Sequence, residues 1–167
     1  MNPSTSEVQL SLLRHAHAGD PMKWGGADDL RPLTEKGRLQ SERLGLLLAG
    51  SGLRPSVILS SPKTRAMETA RLVAAALGIR VDVADALGGP LDIDTVEELL
   101  RAAGDPARPM LVGHDPDFSM LAAELLGVAD LPIRKATLVR IDLPRPLRPG
   151  SGILRWLVPP DLISGEG

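Results

Sequence analysis

Short apolar runs alternate with longer stretches of helical periodicity along most of the chain. Val8, Leu10 and Leu12 alternate with polar residues, which predicts a strand. The uniformly apolar runs at 57–59 and 110–112 are typical of strands buried in a parallel sheet. Apolar residues at three- and four-residue intervals predict helices over 35–49, 62–77, 94–103 and 118–126.

Polar residues ahead of these stretches predict where the helices begin. Thr34 is the expected N-cap of the first helix, and Ser61, followed by Pro62, that of the second. Asp94 is the expected N-cap of the third, with Glu97 as its partner in a capping box. Three leucines share one face of the first helix: Leu39, Leu46 and Leu47.

The last part of the chain changes character. Residues 136–143 and 153–158 are strand-like and are separated by a proline-rich turn, and residues 79–83 can form a further short strand. The resulting order, in which strands and helices alternate before a final strand pair, predicts a three-layer α/β/α sandwich on a mostly parallel sheet. We expect one domain over 1–167, with the polar residues 1–7 disordered.

Composition removes several classes of function. The 167 residues carry 19 Lys and Arg against 21 Asp and Glu, a net charge of −2, so neither a nucleic-acid groove nor an anionic membrane surface is indicated. The absence of cysteine excludes disulfides, cysteine-ligated zinc and thiol catalysis. Because the chain lacks a signal-peptide pattern and an apolar run of about 20 residues, we expect a cytoplasmic protein.

Residues that can bind an anion follow three of the predicted strands. Arg14 and His15 end the first, Ser61 follows the second with Arg65 one turn later, and His114 ends the fourth. The carboxyl ends of parallel strands meet at one edge of the sheet, where ligands bind in open α/β folds. Two arginines and two histidines at that edge predict a pocket for a phosphoryl group, with one histidine able to act as nucleophile.

These motifs, in this order, resemble the histidine phosphatase superfamily, and most closely its short SixA-like branch, the phosphohistidine phosphatases. The resemblance covers residues 8 to about 127 and extends to the strand pair of the tail. The motifs are Leu13-Arg14-His15-Ala16, Arg31-Pro32-Leu33-Thr34-x-x-Gly37, Ser60-Ser61-Pro62-x-x-Arg65-Ala66-x-x-Thr69-Ala70 and Val112-Gly113-His114.

The resemblance implies a phosphoglycerate-mutase-like fold, a phosphatase activity without a cofactor, and a role for each motif residue. His15 would be the nucleophile that accepts the phosphoryl group. Arg14, Arg65 and His114 would hold the phosphoryl oxygens and offset their charge. His17 would either add a donor beside this pocket or be exposed to solvent.

No motif selects a general acid. Asp85 and Asp92 follow the presumed third strand, and Asp115 and Asp117 follow the second histidine of the site, so all four stay candidates. An alkoxide leaving group needs an acid, whereas imidazole, with an ordinary pKa of about 6.5, needs little help. The lack of a clear acid therefore favours a phosphohistidine substrate.

The loops indicate the same substrate class. Larger members of the superfamily cover the site with helical caps, but the segments 16–33 and 79–93 are too short to fold into a subdomain. We expect a shallow, open pocket that accepts a side chain presented by another protein. The predicted partner is a phosphorylated protein such as a histidine phosphotransfer carrier.

Three alternatives stay open at this point. The same four residues would serve a phosphatase of small phosphomonoesters. A metal-dependent hydrolase could use His15, His17 and Asp20 with the pair His114-Asp115, although it leaves the arginines unexplained. The fold could also carry a non-catalytic phosphate-binding module.

Overall fold

The computed structural model describes residues 6–164. Its strands are β1 (Glu7–Arg14), β2 (Val57–Ser60), β3 (Val81–Val83), β4 (Pro109–Gly113), β5 (Leu138–Pro144) and β6 (Ile153–Val158). Its α-helices are α1 (Glu35–Ser51), α2 (Thr64–Leu77), α3 (Ile93–Ala102), α4 (Asp117–Leu126) and α5 (Pro160–Ser164). Within this part of the chain, none of the helices is both long and apolar enough to span a bilayer.

All six strands form one sheet in the order β3-β2-β4-β1-β5-β6. The first four in this order are parallel, while β5 is antiparallel to β1, and β6 to β5. The mostly parallel sheet is therefore confirmed. In the register, Arg14 lies opposite Gly113, and Ser60 lies opposite Val112, so the carboxyl ends of β1, β2 and β4 are level with one another.

Two apolar clusters cover the two faces of the sheet. One joins Leu12 and Leu111 of the sheet to Phe118 of α4 and to the buried side of α3. The other joins Leu13 to Val73 of α2 and to the buried side of α1. Because successive side chains of a strand point to opposite faces, β1 supplies both clusters. This arrangement confirms the predicted three-layer sandwich.

The three leucines that share one face of the first helix lie on its solvent side. Leu39, Leu46 and Leu47 are exposed, and α1 instead buries Leu44 and Leu48. The physical reason is close helix packing at Gly45, where an added Cβ would lie 2.9 Å from the Cβ of Ala76 in α2. The side of α1 that contains Gly45 therefore packs against α2, although three of the leucines of this helix lie elsewhere.

Two of the predicted helix caps are also wrong. Helix α2 begins at Thr64 after an N-cap at Lys63, and Ser61 instead contacts His114. Helix α3 has Asp92 as its N-cap, because the Asp92 carboxylate accepts the backbone N–H of Thr95 at 2.7 Å. Asp94 therefore lies in the first turn of α3.

The prediction of disorder over 1–7 extends too far along the chain, because residues 6 and 7 are ordered. Glu7 is the first residue of β1 and lies opposite Pro144 in β5. The backbone N–H of Arg145 donates to the Ser6 carbonyl at 3.0 Å, which ties this end of the chain to the sheet. The rest of the prediction, residues 1–5, lies outside the described residues.

Candidate active site

The four residues predicted from the strand ends line one cavity. Arg14 and His15 enter it from the end of β1, His114 from the end of β4, and Arg65 from the first turn of α2. The cavity has a volume of about 340 Å³. Its other lining residues are Pro21, Arg31, Lys63, Gly88, Asp115, Asp117 and Lys135.

His15 is held as a neutral imidazole. Its Nδ1 lies 2.8 Å from the Ala16 carbonyl oxygen, and since a carbonyl can only accept, the ring proton is on Nδ1. Burial lowers the pKa of His15 to about 3, against the effect of this hydrogen bond, and the nearby His114 and Arg65 lower it further. The Nε2 atom therefore carries a free lone pair at neutral pH, which is what a nucleophile requires.

His114 is the second buried histidine of the cavity. Its Nε2 lies 2.7 Å from the Ser61 hydroxyl, which fixes the orientation of the ring. The His114 and His15 ring centroids are 5.3 Å apart. Burial lowers the pKa of His114 to about 4, with the positive charge of Arg65 as the next cause. Ser61 belongs to the Ser-Ser-Pro motif, which predicts a helix cap, but in the structure its hydroxyl positions His114.

Both arginines are partly engaged by carboxylates and carbonyls. Arg14 donates from Nη1 to the Asp115 carboxylate at 3.2 Å and to the Ile133 carbonyl at 2.8 Å. Arg65 donates to the carbonyl of Asp28 at 2.8 Å and to its carboxylate at 3.1 Å.

The cavity nevertheless contains polar atoms that are buried without a partner. Within residues 6–164, five side-chain nitrogen or oxygen atoms are in this state, and three belong to the cavity: Nε of Arg14, Nε of Arg65 and Nδ1 of His114. Buried polar groups are rarely left unpaired, because each costs free energy. A bound oxyanion would supply hydrogen-bond acceptors to the two guanidinium groups, so the cavity has the chemistry of a phosphoryl site.

Other motif residues position the loop that follows His15. The Thr69 hydroxyl accepts the backbone N–H of Ala16 at 3.0 Å and donates to the Arg65 carbonyl at 2.7 Å. A Cβ at Gly37 would lie 2.1 Å from the His17 carbonyl oxygen, so only glycine allows this loop to pass over the start of α1. These residues thus link the loop after His15 to both helices on its side of the sheet.

The four candidate acids occupy different places. Asp85 lies in a short 3₁₀ helix and Asp92 caps α3, and neither lines the cavity. Asp115 lines it but is engaged by Arg14 and by the hydroxyl of Ser119 at 2.8 Å. Asp117 also lines it, and its side chain has no hydrogen bond or ion pair with the residues that the structure describes.

Several cavity residues were missed by the sequence analysis. Asp28 bridges Arg65 and Arg31, whose Nε donates to the Asp28 carboxylate at 3.0 Å. Arg31 was visible in the Arg-Pro-Leu-Thr motif, but nothing in the spacing indicated its contact. Lys63 and Lys135 also line the cavity, and no motif of the sequence includes either of them as a site residue. No signal in a single sequence distinguishes them from solvated lysines.

His17 lies outside this cavity. Its Nδ1 is 2.7 Å from the Thr34 hydroxyl, in a groove on the other side of Arg14, whereas His15 contacts the Ala16 carbonyl. In the described part of the chain, no group of three or more His, Asp or Glu side chains is arranged to bind a metal ion. The metal-binding interpretation of His15 and His17 therefore has no ligand cluster to support it.

The two buried histidines should make the fold sensitive to acid. Their pKa values in the folded protein lie below the ordinary 6.5, so the unfolded chain binds more protons between pH 6.5 and about 3. The contribution of the two neutral histidines to stability is therefore fully present above pH 6.5, and it is lost as the pH falls through that window. We expect the fall in Tm between pH 7 and pH 5 to be smaller in a His15→Gln/His114→Gln variant than in the wild type. Equal falls, measured by circular dichroism, would contradict the assigned pKa directions.

Comparison with known proteins, by sequence and by structure, indicates the same family. Residues 10–89 match the family model of the histidine phosphatase superfamily (branch 1). An uncharacterized protein of Picosynechococcus sp. is 34% identical over 114 residues, which cover 66% of this chain and 68% of that protein.

Solved structures extend the likeness to nearly the whole chain. The protein histidine phosphatase SixA, in complex with tungstate, is 26% identical with a TM-score of 0.78, covering 92% of this chain and 97% of SixA. A protein from Agrobacterium tumefaciens that is assigned by name as a phosphohistidine phosphatase SixA is 25% identical with a TM-score of 0.73, covering 91% of this chain and 97% of that one. A mycobacterial glucosyl-3-phosphoglycerate phosphatase, at 18% identity and a TM-score of 0.67 over 89% of this chain and 97% of that one, shares the fold. With the matched motifs gathered in one cavity of this fold, the chain belongs to the histidine phosphatase superfamily and is a phosphatase.

Proposed function

We propose that the protein removes a phosphoryl group from a histidine side chain of another protein, with His15 as the nucleophile. The observation that carries the proposal is the state of His15. It is a buried, neutral imidazole whose Nδ1 is occupied by the Ala16 carbonyl, in a cavity that also contains Arg14, Arg65 and His114. This combination supplies a nucleophile together with charges that stabilise a transferring phosphoryl group.

The reaction follows in two displacements. In the first, Nε2 of His15 forms a bond to phosphorus while the phosphorus–nitrogen bond to the substrate imidazole breaks. In the second, water attacks the phosphorus of phospho-His15, which releases inorganic phosphate and restores the neutral ring. Arg14 and Arg65 offset the charge on the oxygens in both steps, and Ser61 keeps His114 oriented toward them.

Three observations support a protein-borne phosphohistidine as the substrate. The loop 16–33 forms two short 3₁₀ helices and the loop 79–93 one, so in the described part of the chain these loops place no helical subdomain over the cavity. An imidazole leaving group can take a proton from solvent on its other ring nitrogen near neutral pH, so the reaction needs little acid catalysis. Two of the neighbouring folds belong to proteins described as SixA phosphohistidine phosphatases.

A phosphatase of small phosphomonoesters is the second candidate, and Asp117 favours it. This carboxyl group lines the cavity and has no partner among the described residues, so it could protonate an alkoxide leaving group.

Asp117→Asn therefore separates the two candidates. We expect it to change kcat/KM for a phosphohistidine protein by less than about 3-fold, and to lower that for an alkyl phosphate by about 10-fold or more. Asp92→Asn is the matched control, because Asp92 caps α3 away from the cavity. A large loss on phosphohistidine would make Asp117 a required acid and remove one argument for the proposed substrate.

Chelation should leave the activity unchanged. The proposed chemistry uses arginines and histidines for every charge that must be offset, so we expect kcat/KM to change by less than about 2-fold after dialysis against EDTA. Loss of activity with EDTA and its return with zinc or manganese would instead support the metal-dependent alternative built on His15 and His17.

The direct test of the substrate class compares two substrates at equal concentration. A phosphorylated histidine phosphotransfer domain should be hydrolysed with a higher kcat/KM than p-nitrophenyl phosphate. A free sugar phosphate hydrolysed faster than the phosphorylated domain would contradict the proposal and favour the small-molecule candidate.

A further inference from the structure

A second, positively charged groove adjoins the catalytic cavity. It has a volume of about 280 Å³, and because Arg14 and Lys135 line both the groove and the cavity, the two lie side by side. The charged or titratable residues that line this basic groove are Arg14, His17, Lys36, Arg134, Lys135 and Asp161. The motifs and the proposed reaction use only Arg14 from this set.

Two of the four cations that line the basic groove have ion pairs within the described part of the chain, and two do not. Arg14 pairs with the Asp115 carboxylate at 3.2 Å. Arg134 has an ion pair with Asp161 at 3.6 Å, and both side chains are largely exposed. Lys36 and Lys135 have no ion pair with any residue from 6 to 164. Burial lowers the pKa of Lys135, and the positive charges of Arg14, Arg31 and Arg65 lower it further. These like charges repel one another, and an anion bound in the groove would relieve that repulsion.

We propose that the basic groove binds acidic side chains of the phosphoprotein substrate, beside the histidine whose phosphoryl group enters the catalytic cavity. The inference rests on the proposed function and deepens it, because it states what must surround the phosphohistidine on the partner. The phosphoryl group has its own donors in Arg14, Arg65 and His114, so the cations of the groove are available for a second anion.

The exposure of the groove favours a protein surface over a small polyanion. The Arg134 side chain is 78% exposed, and Lys36 lies in the exposed first turn of α1. Exposed ion pairs are individually weak and are screened by salt, so they discriminate poorly between small molecules but add up across a protein contact. Acidic side chains on a folded partner would arrive already fixed relative to its phosphohistidine.

The test uses a double variant and a matched control. Lys36→Gln/Arg134→Gln removes two charges from the groove without changing a residue that lines the catalytic cavity. Arg71→Gln/Arg148→Gln removes the same charge from two exposed positions that line neither depression. Binding is measured by fluorescence anisotropy with a labelled peptide that contains four glutamates, and with its glutamine counterpart.

We expect the wild type and the control variant to bind the acidic peptide equally well, and the groove variant to bind it about 10-fold more weakly. The glutamine peptide should show no such difference, and 0.5 M salt should abolish it. On p-nitrophenyl phosphate, which has no second anion, kcat/KM should be the same for all three proteins. Equal loss of acidic-peptide binding in both double variants would overturn the proposal.

Measurements of KM and kcat then show whether the basic groove binds acidic side chains or a small polyanion. For phosphohistidine peptides with acidic or amide flanks, the groove variant should raise KM only for the acidic one and leave kcat unchanged. A selective rise in KM for a sugar bisphosphate, with no effect on the acidic peptide, would overturn the proposal in favour of a small polyanion. Failure to hydrolyse any phosphohistidine, with acidic-peptide binding intact, would refute the proposed function but not the groove.

Discussion

His15→Ala is expected to lower kcat/KM by at least roughly 10⁴-fold, on phosphohistidine and on p-nitrophenyl phosphate alike. In the proposed mechanism, this variant removes the atom that forms the covalent bond to phosphorus. The nearest imidazole, that of His114, is held by Ser61 with its ring centroid 5.3 Å from that of His15. Because both substrates would pass through the same intermediate, the loss should not depend on the leaving group.

His17→Ala is the matched control for this experiment. His17 lies two residues along the same loop but contacts Thr34 and does not line the catalytic cavity. We expect His17→Ala to lower kcat/KM for p-nitrophenyl phosphate by less than about 5-fold. The thermal unfolding of the His15 variant, followed by circular dichroism, shows whether it is folded, which we expect because His15 follows the end of β1 and lies outside the main apolar clusters. A folded His15→Ala protein with wild-type turnover would refute the mechanism.

Arg65→Ala should lower kcat/KM by about 100- to 1,000-fold, the cost of removing one preorganised group that binds a charged transition state. Arg65→Lys keeps the charge but loses the planar fork, so at least about 10-fold should still be lost. The fork matters here because the residue is buried, with 6% of its surface exposed, and both Nη atoms already donate to Asp28. Lysine has a single side-chain nitrogen, so its donors are not spread widely enough to contact Asp28 and a phosphoryl group together.

Arg71→Lys is the comparison within the same helix. Arg71 is an exposed residue of α2 and lines no part of the cavity, so kcat/KM should be unchanged. Equal kinetics for the Arg65→Lys and wild-type proteins would mean that Arg65 only stabilises the Asp28 loop. In that case Asp28→Asn should reproduce the Arg65→Ala defect, which our account does not expect.

The sequence predicted the sheet, and it predicted that Arg14, His15, Arg65 and His114 meet at one edge of it, because each prediction rests on a strong local signal. Buried parallel strands are short apolar runs, and their ends are marked by Arg14, Ser61 and His114, which interrupt those runs. Parallel pairing then brings the strand ends to one edge whatever the loops do. The pairing of Arg14 with Gly113 places the ends of β1 and β4 side by side at that edge.

The remaining residues of the site are positioned by loops. The spacing of apolar residues along the sequence predicts helices and strands but not the geometry of loops. Asp28, in a short 3₁₀ helix, contacts Arg65, and Lys135, more than 100 residues later in the chain, lines the cavity. Both come close to the site only because the chain folds back over it. Similarly, the buried face of α1 follows from the close approach at Gly45, which is a property of the helix pair and not of either helix. Residues of this kind become visible only when tertiary contacts are known.

The most direct test of the account is the identity of the residue that carries the phosphoryl group during turnover. A ³²P-labelled substrate is mixed rapidly with the enzyme, and the reaction is quenched in alkali, where a phosphorus–nitrogen bond survives. We predict label on the protein that is stable in alkali, lost in acid, mapped to His15 by peptide analysis, and absent from His15→Ala. His114→Ala should slow turnover without moving the label. Label on His114, or an active enzyme that never carries label, would contradict the central claim.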